Sequence, residues 1–282
     1  MKMIRGFNLK NSNILVTGGA GYIGSHIVEL LVKSRNKIYI YDNLTTGFRK
    51  LINKKAIFIK GDIKNKKKIS NVIKKNNIDC IIHLAAYLNI SEAEKKKKKY
   101  YNNNIGGTIN LVNACKNSSV KIIIFSSSCS VYGNTKGSIR ENHKLNPRSN
   151  YARTKYESEK ILKRFSKKFN YRYGILRYFN VAGASNSGKI GQITRGDQLF
   201  KNLSIASIKN KPKINIYGDN YQTKDGTCIR DYIHVSDIAN IHLLVLNKID
   251  REKKSIVLNC GYGNGISVLE NEKKFEKQKK KK

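Results

Sequence analysis

Asn13-Ile14-Leu15-Val16-Thr17-Gly18-Gly19-Ala20-Gly21-Tyr22-Ile23-Gly24 joins a short apolar run to a glycine-rich turn, and a helical pattern from Ser25 to Ser34 follows it. That order decides the fold. Glycines at 18, 21 and 24 let the backbone turn tightly and approach a pyrophosphate, whose charge is favoured at a helix N-terminus. The strand before and the helix after distinguish such a site from an ordinary glycine turn. The next apolar run ends in Tyr39-Ile40-Tyr41-Asp42-Asn43. A carboxylate there sits where adenosine ribose hydroxyls would lie and repels a ribose phosphate, so NAD is favoured over NADP.

Outward from this motif, short apolar runs alternate with helical patterns over the first 180 residues. Strands are expected at Asn13 to Thr17, Lys37 to Tyr41, Ala56 to Lys60, Cys80 to Leu84, Lys121 to Ser126 and Arg172 to Leu176. Helices are expected at Ser25 to Ser34, Ile69 to Asn76, Gly107 to Lys116 and Tyr151 to Lys168. The alternation specifies an α/β protein with a Rossmann-type doubly wound parallel sheet over residues 1–180. After Asn180 the rhythm weakens. A loop from Ala184 to Gly196, a helix from about Asp197 to Lys209, strands at Ile214 to Tyr217 and Ser255 to Asn259 and a helix near Val235 to Lys248 suggest a smaller, incomplete α/β substrate domain over 181–269. Residues 270–282 are mostly Lys and Glu, and no packed element is expected there.

The 282 residues contain 56 Lys and Arg against 19 Asp and Glu, a formal charge of +37. Such a charge raises the question of a polyanionic partner. The lysines are spread over most surface segments, however, and no paired Cys/His spacing or aromatic-glycine RNA-binding signature accompanies them, so no specific nucleic-acid partner is expected. The five cysteines, Cys80, Cys115, Cys129, Cys228 and Cys260, are scattered and lie mostly in apolar stretches. Buried thiols in a reducing compartment fit them better than a disulfide frame. No run is long enough to span a bilayer and no signal-peptide core precedes the glycine turn, which points to a cytoplasmic protein without a membrane partner. No metal site is expected.

Chemistry is carried by Asn150-Tyr151-Ala152-Arg153-Thr154-Lys155. Tyr151 and Lys155 at i and i+4 share one helix face, so the ammonium can stabilise the charge that the phenol acquires on taking a proton. Moving a phenol from ~10 to about 7 requires roughly 4 kcal/mol, and a nearby cation is the right kind of cause. Alone, the pair also fits a solvated helix; the glycine turn upstream changes that. Asp62, ending the third strand in Gly61-Asp62-Ile63, can accept from an adenine amino group or simply shape a turn. His83-Leu84-Ala85-Ala86 brings small residues to the end of the fourth strand, with His83 open to a role in the core. Ser126-Ser127-Ser128 reads either as a polar strand end or as the site of a catalytic hydroxyl.

These motifs resemble those of the extended short-chain dehydrogenase/reductase superfamily. The likeness rests on the glycine turn, Asp42-Asn43-Leu44, Gly61-Asp62-Ile63, Tyr100-Tyr101-Asn102-Asn103-Asn104-Ile105-Gly106-Gly107-Thr108, the serine triplet and the Tyr151, Lys155 pair. Within it, Leu176-Arg177-Tyr178-Phe179-Asn180-Val181-Ala182-Gly183-Ala184 and the long stretch Tyr217-Gly218-Asp219-Asn220-Tyr221-Gln222-Thr223-Lys224-Asp225-Gly226-Thr227-Cys228-Ile229-Arg230-Asp231-Tyr232-Ile233-His234-Val235 resemble the UDP-glucose 4-epimerase family. The resemblance runs from about residue 13 to Leu269. It implies NAD-dependent interconversion of UDP-glucose and UDP-galactose through a 4-keto sugar, with Ser128, Tyr151 and Lys155 as catalytic residues. It implies an NAD site made by Gly18, Gly21, Tyr22, Ile23, Gly24, Asp42, Asn43, Asp62, Ile63, Leu84, Ala85, Ala86, Asn103, Tyr151, Lys155 and Tyr178. Ser128, Asn180, Gln198 and Arg230 would bind the UDP-sugar, and a homodimer is implied as well.

The sequence departs from the family in three places. Gln198-Leu199-Phe200-Lys201 replaces the usual His- or Asn-Leu-x-Pro, and Leu88 stands where some relatives have Lys. The family also continues for several tens of residues past Leu269, including an arginine-bearing diphosphate loop, so the chain reads as truncated. A nucleotide-sugar decarboxylase, a 4,6-dehydratase and a cofactor-binding remnant without activity stay open as alternatives. Against the dehydratase, Cys129 and Ser130 follow Ser128 where that chemistry needs an acidic pair.

Overall fold

The structure, a computed structural model, describes residues 11–135, 137–193, 198–209 and 213–279. The first half winds as expected. Strand β1 (Asn13–Thr17) leads through the glycine turn into α1 (Tyr22–Leu31), then β2 (Lys37–Asp42), β3 (Ile57–Lys60), α2 (Lys66–Lys75) and β4 (Cys80–His83). Two short helices, α3 (Ile90–Lys95) and α4 (Lys97–Tyr100), run through a π-helical turn at Tyr101–Ile105 into α5 (Gly106–Ala114). Strand β5 (Ile122–Ser128), helix α6 (Asn150–Phe169) and strand β6 (Arg172–Tyr178) follow. Helix α1 starts at Tyr22 rather than Ser25, because Gly21 serves as its N-cap without a capping side chain.

All pairings in the main sheet are parallel, in the order β3-β2-β1-β4-β5-β6 and then β9 (Ile256–Cys260). The strand order reverses between β1 and β4, and a crevice beyond the carboxyl ends of the strands at such a point is where open α/β sheets bind ligands. Both faces of the central strands are covered, so they are largely apolar: Ile14, Val16, Ile40, Ile82 and Ile124 pack on one side with Ile27 and Leu31, while Leu15, Ile81, Ile123 and Ile175 pack on the other with Ile69, Leu111 and Leu162.

After Asn180 the chain forms β7 (Asn180–Ala182), α7 (Leu199–Ser207), β8 (Ile229–His234), α8 (Val235–Glu252), β9, β10 (Gly265–Ser267) and α9 (Val268–Lys279). A small sheet runs β10-β8-β7. Four expectations change here. Residues 255–259 do form a strand, but it extends the main sheet beside β6, and α8 packs on that sheet with Val245, Leu246 and Ile249 buried. The chain therefore returns across the expected boundary at 180. Residues 214–217 form no strand: their backbone meets no ladder partner among the described residues, and Ile216 and Tyr217 are exposed. The helix expected from Asp197 starts at Leu199, and Asp197 itself lies outside the described residues.

The lysine-rich end is helical as far as Lys279. Its cause is a capping box, Ser267-Val268-Leu269-Glu270: Glu270 N–H donates to Ser267 Oγ at 3.1 Å and Ser267 N–H to Glu270 Oε2 at 3.1 Å. Asn271 is buried and donates to the Ser267 carbonyl at 2.9 Å.

Candidate active site

At the switch point, Gly18 has φ +74°, a conformation that L side chains rarely adopt, and a Cβ there would lie 2.7 Å from the Ala85 nitrogen. The ends of β1 and β4 thus approach more closely than any side chain allows. Around them Asp42, Asn43, Ile63, Ala86 and Asn103 line one crevice. The Asp42 carboxylate is buried and accepts from Ala20 N–H at 3.1 Å and Leu44 N–H at 2.8 Å. Burial raises its pKa and the two backbone donors oppose that rise. Asp62 accepts from the Asn43 amide at 3.1 Å and from Lys64 N–H at 2.8 Å. Tyr22 donates to the Gly183 carbonyl at 2.6 Å, tying the start of α1 to the chain beyond β7, while Ile23 and Leu84 pack against the core.

His83 proves to be a core residue. Its ring nitrogens meet Thr17 Oγ1 at 2.7 Å and Thr108 Oγ1 at 3.2 Å, and burial, with the Lys155 charge, lowers its pKa to about 3.

Ser149 begins α6 by accepting the Ala152 N–H at 3.1 Å, and left-handed Asn170 ends the helix. The stripe it buries carries Tyr151, Thr154, Lys155, Ser158, Glu159 and Leu162. Lys155, 1% exposed, donates from Nζ to the Ser126 carbonyl at 2.7 Å and stands 5.0 Å from the Phe125 ring centre and 6.0 Å from that of Tyr151. Ser128 ends β5, and its Oγ accepts from Ser130 N–H at 3.2 Å and Ser130 Oγ at 2.9 Å. Tyr178 is its register partner on β6, buried and bonded to His242 Nε2 at 2.7 Å. One expectation is reversed here. Burial dominates both members of the pair: it raises the Tyr151 phenol, an effect that the Ser128 hydroxyl opposes, and lowers Lys155 to about 7. The ammonium is aimed at a carbonyl, and burial is the largest influence on the phenol.

The substrate residues are less closely gathered. Asn180 donates to the Asp231 carbonyl at 3.2 Å, and exposed Arg230 donates to the Ile229 carbonyl at 3.0 Å. Arg230 is near enough to the end of β5 to oppose the burial that pushes the Cys129 thiol up to about 11. Gln198 precedes α7, with a buried Oε1 that accepts no hydrogen bond among the described residues.

Sequence reading missed Asn104, which accepts from Tyr87 N–H at 2.9 Å and donates to Thr154 Oγ1 at 3.0 Å, fastening the helical turn behind Asn103 to α6. It also missed the Arg177, Glu159 pair. The available signals were a charge inside the apolar strand 174–178 and an acid four residues past Lys155 on the buried stripe.

A glycine turn at the switch point, an acid closing β2 and a Tyr, Lys helix face beside a serine define a dinucleotide-dependent enzyme of the short-chain dehydrogenase type. Residues 14–261 match the NAD dependent epimerase/dehydratase family, and the chain belongs to it. It is 43% identical over 259 residues to a UDP-glucose 4-epimerase of Lactobacillus helveticus, covering 91% of this chain and 78% of that one. A crystal structure of a UDP-glucose 4-epimerase superposes with a TM-score of 0.91 at 38% identity, covering 95% of this chain and 82% of the other. The enzyme of Bifidobacterium longum in complex with NAD+ and UDP gives 0.88 at 35% identity, covering 95% and 84%.

Proposed function

We infer that this chain is an NAD-dependent isomerase that interconverts UDP-glucose and UDP-galactose through a 4-keto sugar. The observation that carries this reading is the meeting of Ser128, Tyr151 and Lys155 at the end of β5, the strand next to β4, whose end forms the crevice with Gly18. The residues present fit NAD: Gly18 leaves room where a side chain would collide with Ala85, and Asp42 holds a carboxylate at the end of β2. Gly18, Gly21 and Gly24 would hold the pyrophosphate, Asp42 the ribose, and Asp62 and Ile63 the adenine. When bound, NAD would supply a reversible hydride acceptor for sugar C4.

Tyr151 takes the proton of the sugar 4-hydroxyl, directly or through Ser128, and gives it back in the reverse step. Lys155 orients and supports the phenolate. Arg230 grips the diphosphate oxygens while the sugar, flat at C4, turns over, so that hydrogen returns to the opposite face. Cys129, a thiol held protonated by burial, offers no base for a dehydratase. We place the enzyme in the cytoplasm as a homodimer; among the described residues no helix is long and apolar enough to cross a membrane.

The test is incubation of purified protein with UDP-galactose and NAD. UDP-glucose formed without net change in cofactor absorbance supports epimerisation. Carbon dioxide or a 4-keto-6-deoxy product overturns it in favour of a related enzyme, and NAD binding without turnover favours a remnant.

A further inference from the structure

Behind the Tyr151, Lys155 pair lies a polar network that the mechanism above does not use. Glu159 is one turn beyond Lys155 on the buried face of α6 and is 1% exposed. Its carboxylate accepts from Arg177 Nε at 3.0 Å, Arg177 Nη2 at 2.8 Å and Ser127 Oγ at 2.5 Å. Arg177, 2% exposed, also donates from Nη1 to the Tyr132 hydroxyl at 2.7 Å and to the Glu141 carbonyl at 3.1 Å. Tyr132 in turn donates to Asn259 Oδ1 on β9 at 2.7 Å.

Each anchor is next to a residue of the reacting cluster: Ser127 precedes Ser128, Arg177 precedes Tyr178, and Glu159 follows Lys155 by one turn. Stability alone is a weak reason for such a pair, since apolar residues of equal volume often do as well or better. The surroundings of the Lys155 ammonium supply another reason. On β5 it meets the Ser126 carbonyl and the Phe125 ring, on its own helix Tyr151, and toward β4 His83, held neutral. Cys129, just past β5, is a protonated thiol, Tyr178 on β6 is a protonated phenol, and Arg177 is engaged by the Glu159 carboxylate. Glu159 is the negative group that bears on Lys155.

We propose that Glu159 is a positioning residue for the reaction: with Arg177 and Ser127 it fixes α6 against the end of β5 and gives the Lys155 ammonium its negative counterpart. Burial already brings Lys155 to about 7. Without Glu159 the ammonium loses its proton at lower pH, and Tyr151 loses its cationic neighbour across the working range.

Two variants test this, Glu159→Gln and the double variant Glu159→Met with Arg177→Met, which leaves no buried guanidinium without its carboxylate. The first readout is a 13Cε-lysine NMR titration, with the Lys155 resonance assigned by its loss in Lys155→Arg. The midpoint is expected to fall by about one unit or more in either folded variant, about a tenfold loss of ammonium near neutrality. Glu159→Asp, which keeps the charge, restores most of the shift. The second readout, which rests on the epimerase reading, is kinetic: kcat for UDP-galactose falls about tenfold and its basic limb moves to lower pH, with KM little changed. Unshifted midpoints in folded variants, with lower Tm the sole change, overturn the proposal. A wild-type chain that turns over nothing but whose Lys155 midpoint still depends on Glu159 supports this pairing and counts against the assigned activity.

Discussion

Replacing Gly24 by Ala adds one methyl group where the first turn of α1 passes over the glycine loop. The new Cβ would lie 2.3 Å from the Gly18 carbonyl oxygen and 2.8 Å from Gly19 Cα, both backbone atoms that cannot swing aside. Ordinary contact requires the turn and helix to part by about 1 Å. That carbonyl already accepts Gly21 N–H at 3.1 Å, and α1 is held by Ile27, Val28 and Leu31, none of them exposed, so neither side yields freely. Overpacking of this kind costs about 1–3 kcal/mol. If the strain is relieved by opening the turn, NAD affinity falls by about tenfold or more; any part retained in the folded chain lowers Tm by about 2–10 °C. Calorimetric titration with NAD and a thermal melt measure both quantities. Gly191→Ala is the control, because among the described residues its Cβ would meet only Ala184 Cβ at 3.6 Å. Wild-type affinity and Tm in Gly24→Ala would refute the packing argument for this turn.

Asp42→Asn replaces a carboxylate that accepts two backbone N–H groups with an amide that cannot accept both well, at a cost of about 1–3 kcal/mol; titrations with both cofactors should show weaker NAD binding and a smaller preference over NADP. His83 and His242, lowered by burial to about 3 and about 4, stay neutral in the folded chain, whereas an unfolded histidine protonates near ~6.5. Their contribution to stability is fully present above that pH and is lost as pH falls through the folded values. Denaturant titrations from neutral pH downward should therefore show a pH slope that His83→Gln reduces by about one proton. Ser267→Ala removes the capping hydroxyl of α9, with an expected loss of about 1 kcal/mol and a fall in helical circular dichroism; unchanged helicity would show that the box does not hold this helix.

What the sequence disclosed follows from what local chemistry can encode. The central strands of the main sheet are buried on both faces and read as apolar runs, so the winding of β1 to β6 was legible, and so was the glycine turn flanked by strand and helix. The end of the chain was misread because composition outweighed a four-residue capping box, Ser267 to Glu270. Residues 214–217 have strand-like chemistry, but a strand needs a neighbour that sequence alone does not supply. The placement of β9 beside β6 depends on a crossover through α8 that no local pattern specifies. At the site, the i, i+4 spacing put Tyr151 and Lys155 on one face of α6, the face that is buried. Their protonation was not legible, because it depends on burial and on Ser126 and Ser128, which approach only in three dimensions.

The central claim is that Tyr151 exchanges the proton of the sugar 4-hydroxyl beside bound NAD. Tyr151→Phe tests it most directly, assayed for conversion of UDP-galactose to UDP-glucose alongside NAD affinity by calorimetry. The account predicts a fall in kcat of about a hundredfold or more with NAD affinity nearly unchanged. Wild-type turnover by the phenylalanine variant would contradict it.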